Sequence, residues 1–73
     1  MRRYLILIEP TATGFSAYSP DLPGCAATGE TRDDVERNIR DAVELHVDGL
    51  RELGEPVPTP SISAAYVEIA ACR

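Results

Sequence analysis

Aromatic side chains and long apolar runs are both scarce in this chain, and each shortage excludes a class of function. Phenylalanine, tyrosine and tryptophan together make up 5% of the 73 residues, and tryptophan is absent. A binding surface for single-stranded nucleic acid needs aromatic side chains on which bases stack, so none is predicted. No segment approaches the roughly 20 apolar residues of a membrane-spanning helix. The sequence therefore favours a folded cytoplasmic domain without membrane contact.

Basic residues are also few. The chain has 7 of them against 12 acidic residues, which gives a formal net charge of −5. Binding to nucleic acid regardless of its sequence depends on Lys and Arg side chains that neutralise phosphates, and we therefore expect no direct nucleic-acid binding. A protein with this charge is suited to a basic partner.

Cysteine and histidine are too sparse to predict a reactive or metal-binding site. Cys25 and Cys72 lie far apart and have no His or Cys neighbour at metal-ligand spacing. A disulfide between them stays open, although the lack of a secretory signal favours reduced thiols. His46 falls on the apolar stripe of a predicted helix, where a packing role is expected and a pH-sensitive interface or a site role are the alternatives. No nucleophile can be placed beside it, so we predict neither enzymatic activity nor a cofactor.

Residues 15–31 contain the most informative pattern, because two strand signals, a rigid turn and a helix start follow one another. Strands are predicted over residues 15–18 and 25–28. Between them, two prolines fix their φ angles, an Asp can bond its own backbone, and a Gly allows the chain to reverse. The turn consists of Pro20, Asp21, Leu22, Pro23 and Gly24.

Two further strands and one helix complete the predicted order. Residues 3–8 are apolar on both alternations, and residues 65–71 alternate in a way that predicts a fourth strand paired back into the sheet. A helix of about 22 residues begins after Thr31 as N-cap, with acidic residues in its first turn, and ends at Gly54. Its apolar stripe consists of Val35, Ile39, Ala42, Val43, His46, Leu50 and Leu53.

One helix covers only one face of a sheet, so the other face is expected to need a partner. The apolar side chains assigned to the open face are those of Leu5, Leu7, Val67 and Ile69. A monomer rarely exposes such a patch. We therefore predict a homodimer or a higher homo-oligomer built on this face or on a sheet edge.

The turn and its flanks resemble the HicB-like antitoxin family. The residues that carry the resemblance are Tyr18, Pro20, Asp21, Leu22, Pro23, Gly24, Cys25, Gly29 and Thr31, and the likeness runs from about residue 4 to residue 60. It implies an α+β fold, described as a partial ribonuclease H fold, in which an antiparallel sheet of three to four strands packs on one long helix in the order β-β-β-α-β. Residues 1–73 are expected to form a single HicB-like domain without the DNA-binding module that many relatives append.

The same resemblance implies an antitoxin that sequesters a small basic ribonuclease toxin of the HicA type without performing catalysis. The acids nearest the turn and the helix start, Asp21, Glu30, Asp33 and Asp34, are the candidate partner contacts. A carboxylate cluster for Mg²⁺-dependent nuclease chemistry is an alternative reading of these four, but a turn and a helix N-terminus already explain them. The other alternative is a stand-alone oligomeric structural or regulatory module without a toxin.

Overall fold

A three-stranded antiparallel sheet followed by one long helix forms the fold of this protein. The computed structural model describes residues 2–71, with β1 at Leu7–Pro10, β2 at Phe15–Tyr18, β3 at Ala26–Gly29 and α1 at Arg32–Glu52. The strands lie in the order β1-β2-β3, and both pairings are antiparallel. The predicted α+β class is confirmed.

The first strand begins later than the sequence predicts. Leu7 lies opposite Tyr18, the last residue of β2, and the chain then enters a turn, so residues 3–6 have no strand to pair with. Arg2 and Tyr4 contact instead the connector that follows the helix. The Arg2 guanidinium donates to the carbonyl oxygens of Val57 and Pro58 at 3.3 and 3.4 Å, and the Tyr4 hydroxyl donates to the Pro58 carbonyl at 2.6 Å.

The turn between β2 and β3 is closed by three backbone hydrogen bonds, as its prolines and glycine predict. The Ser19 carbonyl accepts from the Leu22 amide at 3.1 Å, the Leu22 carbonyl from the Cys25 amide at 3.1 Å, and the Cys25 carbonyl from the Ser19 amide at 3.2 Å. Gly24 has a φ of 83°, a left-handed conformation in which a side chain would be strained. The sharp reversal therefore depends on glycine at this position.

Both predicted ends of the helix are confirmed. Thr31 has extended backbone angles, and its side-chain oxygen accepts from the Asp34 amide at 3.1 Å, as an N-cap does. At the other end Leu53 is the C-cap, and Gly54 follows with a φ of 72°. The helix has 21 residues and is about 32 Å long, whereas strands of 4 residues span only about 13 Å. The last turn of α1 therefore extends beyond the sheet, which explains why Leu53, predicted to be in the apolar stripe, is 76% exposed.

The core lies where α1 packs over β3 and β2. Residues 4–8 are all half-buried, but Tyr4, Ile6 and Ile8 pack against this core, whereas Leu5 and Leu7 on the opposite alternation do not belong to it. No helix within residues 2–71 is long and apolar enough to cross a membrane. The buried side chains at the centre are those of Ala17, Leu22, Cys25, Val35 and Ile39.

The predicted fourth strand is wrong for the described part of the chain. Residues 61–71, here called the C-terminal segment, form no strand, turn or bend, and Tyr66, Val67 and Ile69 are among its exposed side chains. The segment is held at its start by Asp21, in the turn that follows β2, and its described residues pair with none of the three strands. The alternating pattern predicts a strand but does not specify which edge is available to it.

Candidate partner interface

The four candidate acidic contacts occupy opposite ends of the sheet. Asp21 belongs to the turn after β2, at the end where Tyr18 pairs with Ala26. The other three follow β3, at the end where Phe15 pairs with Gly29. The structure therefore brings Glu30, Asp33 and Asp34 together and places Asp21 apart from them.

Asp21 holds the C-terminal segment. Its carboxylate accepts hydrogen bonds from the Ser61 amide at 3.3 Å, from the Ser61 hydroxyl at 3.1 Å and from the Ile62 amide at 3.3 Å. Charge-assisted hydrogen bonds of this kind are stronger than neutral ones. The Asp21 carboxylate therefore bonds to residues of its own chain.

At the start of α1, the acids differ in how accessible they are. Asp34 forms an ion pair with Arg37 at 2.6 Å, and its amide is bonded to the Thr31 side chain. Glu30 and Asp33 are exposed, and neither forms an ion pair within residues 2–71. Negative charge is favourable beside the N-terminus of a helix. These two carboxylates are therefore the accessible part of the predicted acidic site.

A second set of acids, not predicted as contacts, lies along the exposed surface of α1. Their spacing of three and four residues places them on one stripe of the helix, and all are exposed. One of them, Asp48, lies 3.8 Å from Arg51. The signal for this stripe is present in the sequence as helical periodicity. The stripe consists of Asp41, Glu44, Asp48 and Glu52.

Three arginines of the helix are neutralised locally. Arg32 pairs with Glu36 at 3.1 Å, Arg37 with Asp34, and Arg51 with Asp48. All three pairs join residues three or four positions apart on the same helix and are exposed, so each contributes little to stability. Their effect on the surface is to reduce its positive charge and leave the remaining acids dominant.

A groove between β1 and α1 is the main feature that sequence reasoning missed. It has a volume of about 580 Å³ and is open to solvent. Ile6 and Ile8 line it from the strand side, and Ile39 and Val43 line it from the helix side. It exists because α1 packs over β3 and β2, leaving the inner face beside β1 uncovered. Charged residues surround its apolar floor: Arg2, Arg3, Arg32, Glu36, Arg40 and Glu44.

The remaining chemically reactive groups do not converge. Cys25 is a free, buried thiol, and burial raises its pKa above the usual 9.0, which favours the neutral form. Cys72, the other cysteine of the sequence, lies outside the described residues. His46 is half-buried on α1, consistent with the packing role expected for it. Within residues 2–71, no group of three His, Cys, Asp or Glu side chains is arranged to hold a metal ion.

Comparisons with known sequences identify relatives. Residues 4–70 match the family model for the HicB-like antitoxin of bacterial toxin–antitoxin systems. Antitoxin HicB 2 of Photorhabdus laumondii is 33% identical over 70 residues, which cover 94% of this chain and 50% of that protein. An uncharacterised 14.9 kDa protein of Haemophilus phage HP1 is 31% identical over 64 residues, covering 88% of this chain and 48% of its own length. The chain thus spans about half the length of these two relatives.

Solved structures show the same likeness. A chain of the HicA3 and HicB3 toxin–antitoxin complex matches with a TM-score of 0.71 and 37% identity, over 82% of this chain and 70% of that one. The crystal structure of antitoxin HicB3 matches with a TM-score of 0.66 and 38% identity, over 78% of this chain and 42% of that one. The sequence and the fold agree, and this chain belongs to the HicB-like antitoxin family of bacterial toxin–antitoxin systems.

Proposed function

We propose that this chain acts in the cytoplasm as an antitoxin that binds and sequesters a small basic toxin of the HicA type, without catalysing a reaction itself. The observation that carries the proposal is the likeness to a chain of the HicA3 and HicB3 complex, at 37% identity over 82% of this chain. A toxin that binds RNA needs a basic surface. An acidic antitoxin that covers this surface would block access to RNA.

The charge distribution supports an electrostatic mode of binding. The net charge is −5, and three helix arginines are already paired with acids of the same helix. Glu30 and Asp33 are the proposed contacts with accessible carboxylates, and Asp34 lies beside them. Asp21 is proposed as a contact at the other end of the sheet. Complementary charges of this kind speed association and favour the correct partner.

A stand-alone oligomeric module without a toxin is the second candidate, and the exposed apolar side chains favour it. Val67 is 83% exposed and Ile69 is 85% exposed, and both Leu5 and Leu7 are partly exposed. We propose that these four side chains contribute to a homodimer or a higher homo-oligomer in either case. On the second view, self-association would be the whole function.

Recovery of partners from the native cytoplasm separates these two functions. The tagged full-length protein should retain one small basic protein in stoichiometric amount at low salt, and high salt should weaken this retention because it screens charge. Mass spectrometry identifies the retained protein. Recovery of self-oligomers alone at both salt concentrations would contradict the antitoxin proposal and favour the stand-alone module.

Binding to purified HicA3 toxin then tests the contact residues with a matched pair of variants. Glu30→Gln with Asp33→Asn, and Asp41→Asn with Glu52→Gln, each remove two exposed negative charges. The first pair should weaken binding about tenfold and the second by less than about threefold, because contact charges act locally and remote ones only through the overall field. Equal effects would contradict the assignment of Glu30 and Asp33.

A further inference from the structure

The groove between β1 and α1 has an excess of positive charge, although the protein as a whole is acidic. Four of the 7 basic residues line it together with two glutamates, whereas the whole chain has a net charge of −5. The glutamates limit the excess, which favours one carboxylate over a multiply charged phosphate. We propose that the groove binds a small organic anion, a carboxylate with a medium-length aliphatic chain. Its charged lining consists of Arg2, Arg3, Arg32, Arg40, Glu36 and Glu44.

Two of the four arginines are available to an anion. Arg32 pairs with Glu36 at 3.1 Å, and the Arg2 guanidinium donates to two backbone carbonyls of the connector after the helix. Arg3 and Arg40 are exposed and form no ion pair within residues 2–71. A guanidinium matches a carboxylate in geometry and can donate two parallel hydrogen bonds to it. Arg3, before β1, and Arg40, on α1, are therefore the groups that bind the carboxylate of the ligand.

An apolar floor beside these cations accounts for the aliphatic chain of the ligand. Ile39, Val43 and Val47 follow one another at intervals of four residues on one face of α1. A second cavity of about 490 Å³ adjoins the groove and shares Tyr4 and Val43 with it. The helix rises about 12 Å from Ile39 to Val47, which is about the length of a medium-length aliphatic chain. Tyr4, Val43 and Val47 are half-buried, so covering them with such a chain removes apolar surface from water.

The size of the groove and the way its strand side is held favour a small molecule as the occupant. Its volume of about 580 Å³ lies within the range of about 300–1,000 Å³ that is usual for small-molecule sites. On the strand side, the Tyr4 hydroxyl and the Arg2 guanidinium donate to the Pro58 carbonyl at 2.6 and 3.4 Å. These contacts hold the lining in place without a ligand. A site of this kind loses little conformational entropy when the ligand binds.

An NMR titration of the full-length protein with octanoate, without toxin, tests the proposal. Octanoate should cause saturable shifts in the methyl signals of Ile6, Ile8 and Val43. Octylammonium has the same chain with the opposite charge, and acetate has the charge without the chain, so each should bind at least about tenfold more weakly. The absence of saturation up to about 10 mM octanoate would overturn the proposal, and so would shifts confined to residues outside the groove. Equal binding of either control compound would overturn it too.

Two exposed arginines of α1 provide a matched pair of substitutions. Arg40 lines the groove, whereas Arg37 does not and pairs with Asp34. Arg40→Gln should raise the dissociation constant of octanoate at least about fivefold, because it removes a direct partner of the carboxylate. Arg37→Gln changes the net charge equally and should raise it by less than about twofold. Equal effects would overturn the assignment of Arg40. The proposal does not rest on toxin binding, so its failure leaves the proposed antitoxin function intact.

Discussion

Gly29, the last residue of β3, lies so close to the start of α1 that only a hydrogen fits in place of a side chain. A Cβ built on Gly29 would lie 2.5 Å from the Val35 amide nitrogen, a backbone atom that cannot rotate away. The side chain of Val35 is fully buried in the core. We predict that Gly29→Ala displaces the start of the helix and lowers the free energy of unfolding by about 1–3 kcal/mol in urea denaturation.

Gly49 provides the matched control for this substitution. It lies within α1, and a Cβ at this position meets no atom within 4 Å. The same change to Ala there should leave stability unchanged or raise it by up to about 1 kcal/mol, because Ala favours the helical conformation. Gly29→Ala as stable as the native protein would show that the packing of α1 on β3 adapts more easily than the geometry indicates.

At the scale of elements, Asp21 connects the turn after β2 with the C-terminal segment. Its carboxylate accepts from the amides of Ser61 and Ile62. We predict that Asp21→Ala speeds hydrogen exchange of these two amides about tenfold, since each loses a charge-assisted hydrogen bond. Asp33→Ala removes the same charge from an exposed site at the other end of the sheet and should leave their exchange unchanged. NMR hydrogen exchange measures both.

The Asp21→Ala variant also separates two roles of this residue. In the proposed toxin-binding assay, faster exchange together with an affinity equal to that of the unsubstituted protein would mean that Asp21 orders the C-terminal segment only. Unchanged exchange of the Ser61 and Ile62 amides would contradict the anchoring role. Weaker toxin binding in a variant with unchanged exchange would instead support Asp21 as a direct contact.

The elements that the sequence predicts correctly are those whose signals are local. Thr31 marks the helix start, Gly54 marks its end, and Gly24 marks the reversal between β2 and β3, because each acts through its own backbone geometry. The start of β1 and the fourth strand are predicted incorrectly. Both depend on which segment lies alongside, and a pattern of alternating residues does not contain that information.

In the candidate interface, too, local features are predictable from the sequence and long-range contacts are not. The exposure of Glu30 and Asp33 beside a helix start is predictable from capping preferences. The separation of Asp21 from them, and its bonds to Ser61 and Ile62, depend on contacts across 40 and 41 residues of chain, which no local signal encodes. The groove is a further non-local feature, since it results from where α1 rests on the sheet.

At the scale of the whole molecule, the core is small for a chain of this length. Leu22 and Val35 are the largest fully buried side chains among the described residues. The radius of gyration is 14.8 Å, whereas a compact domain of 73 residues has about 11 Å. Much apolar surface thus remains outside the core. Domains this small have little margin of stability, and association is one way to increase it.

If the proposed self-association supplies part of that stability, unfolding must depend on protein concentration. For a folded dimer that unfolds to two chains, each tenfold increase in concentration adds about 1.4 kcal/mol per dimer and raises the Tm by about 4 °C. Val67 is one of the proposed association residues, and Ala70 lies on the opposite alternation of the C-terminal segment. We predict the concentration dependence for the native protein and for the control Ala70→Asp, and its loss in Val67→Asp, as measured by circular dichroism. A native Tm that is constant from about 1 to about 100 µM would contradict the prediction, because stability would then reside within one chain. A concentration-dependent Tm that survives in Val67→Asp would show that the copies associate through a surface that does not include Val67, such as the one that carries Leu5 and Leu7.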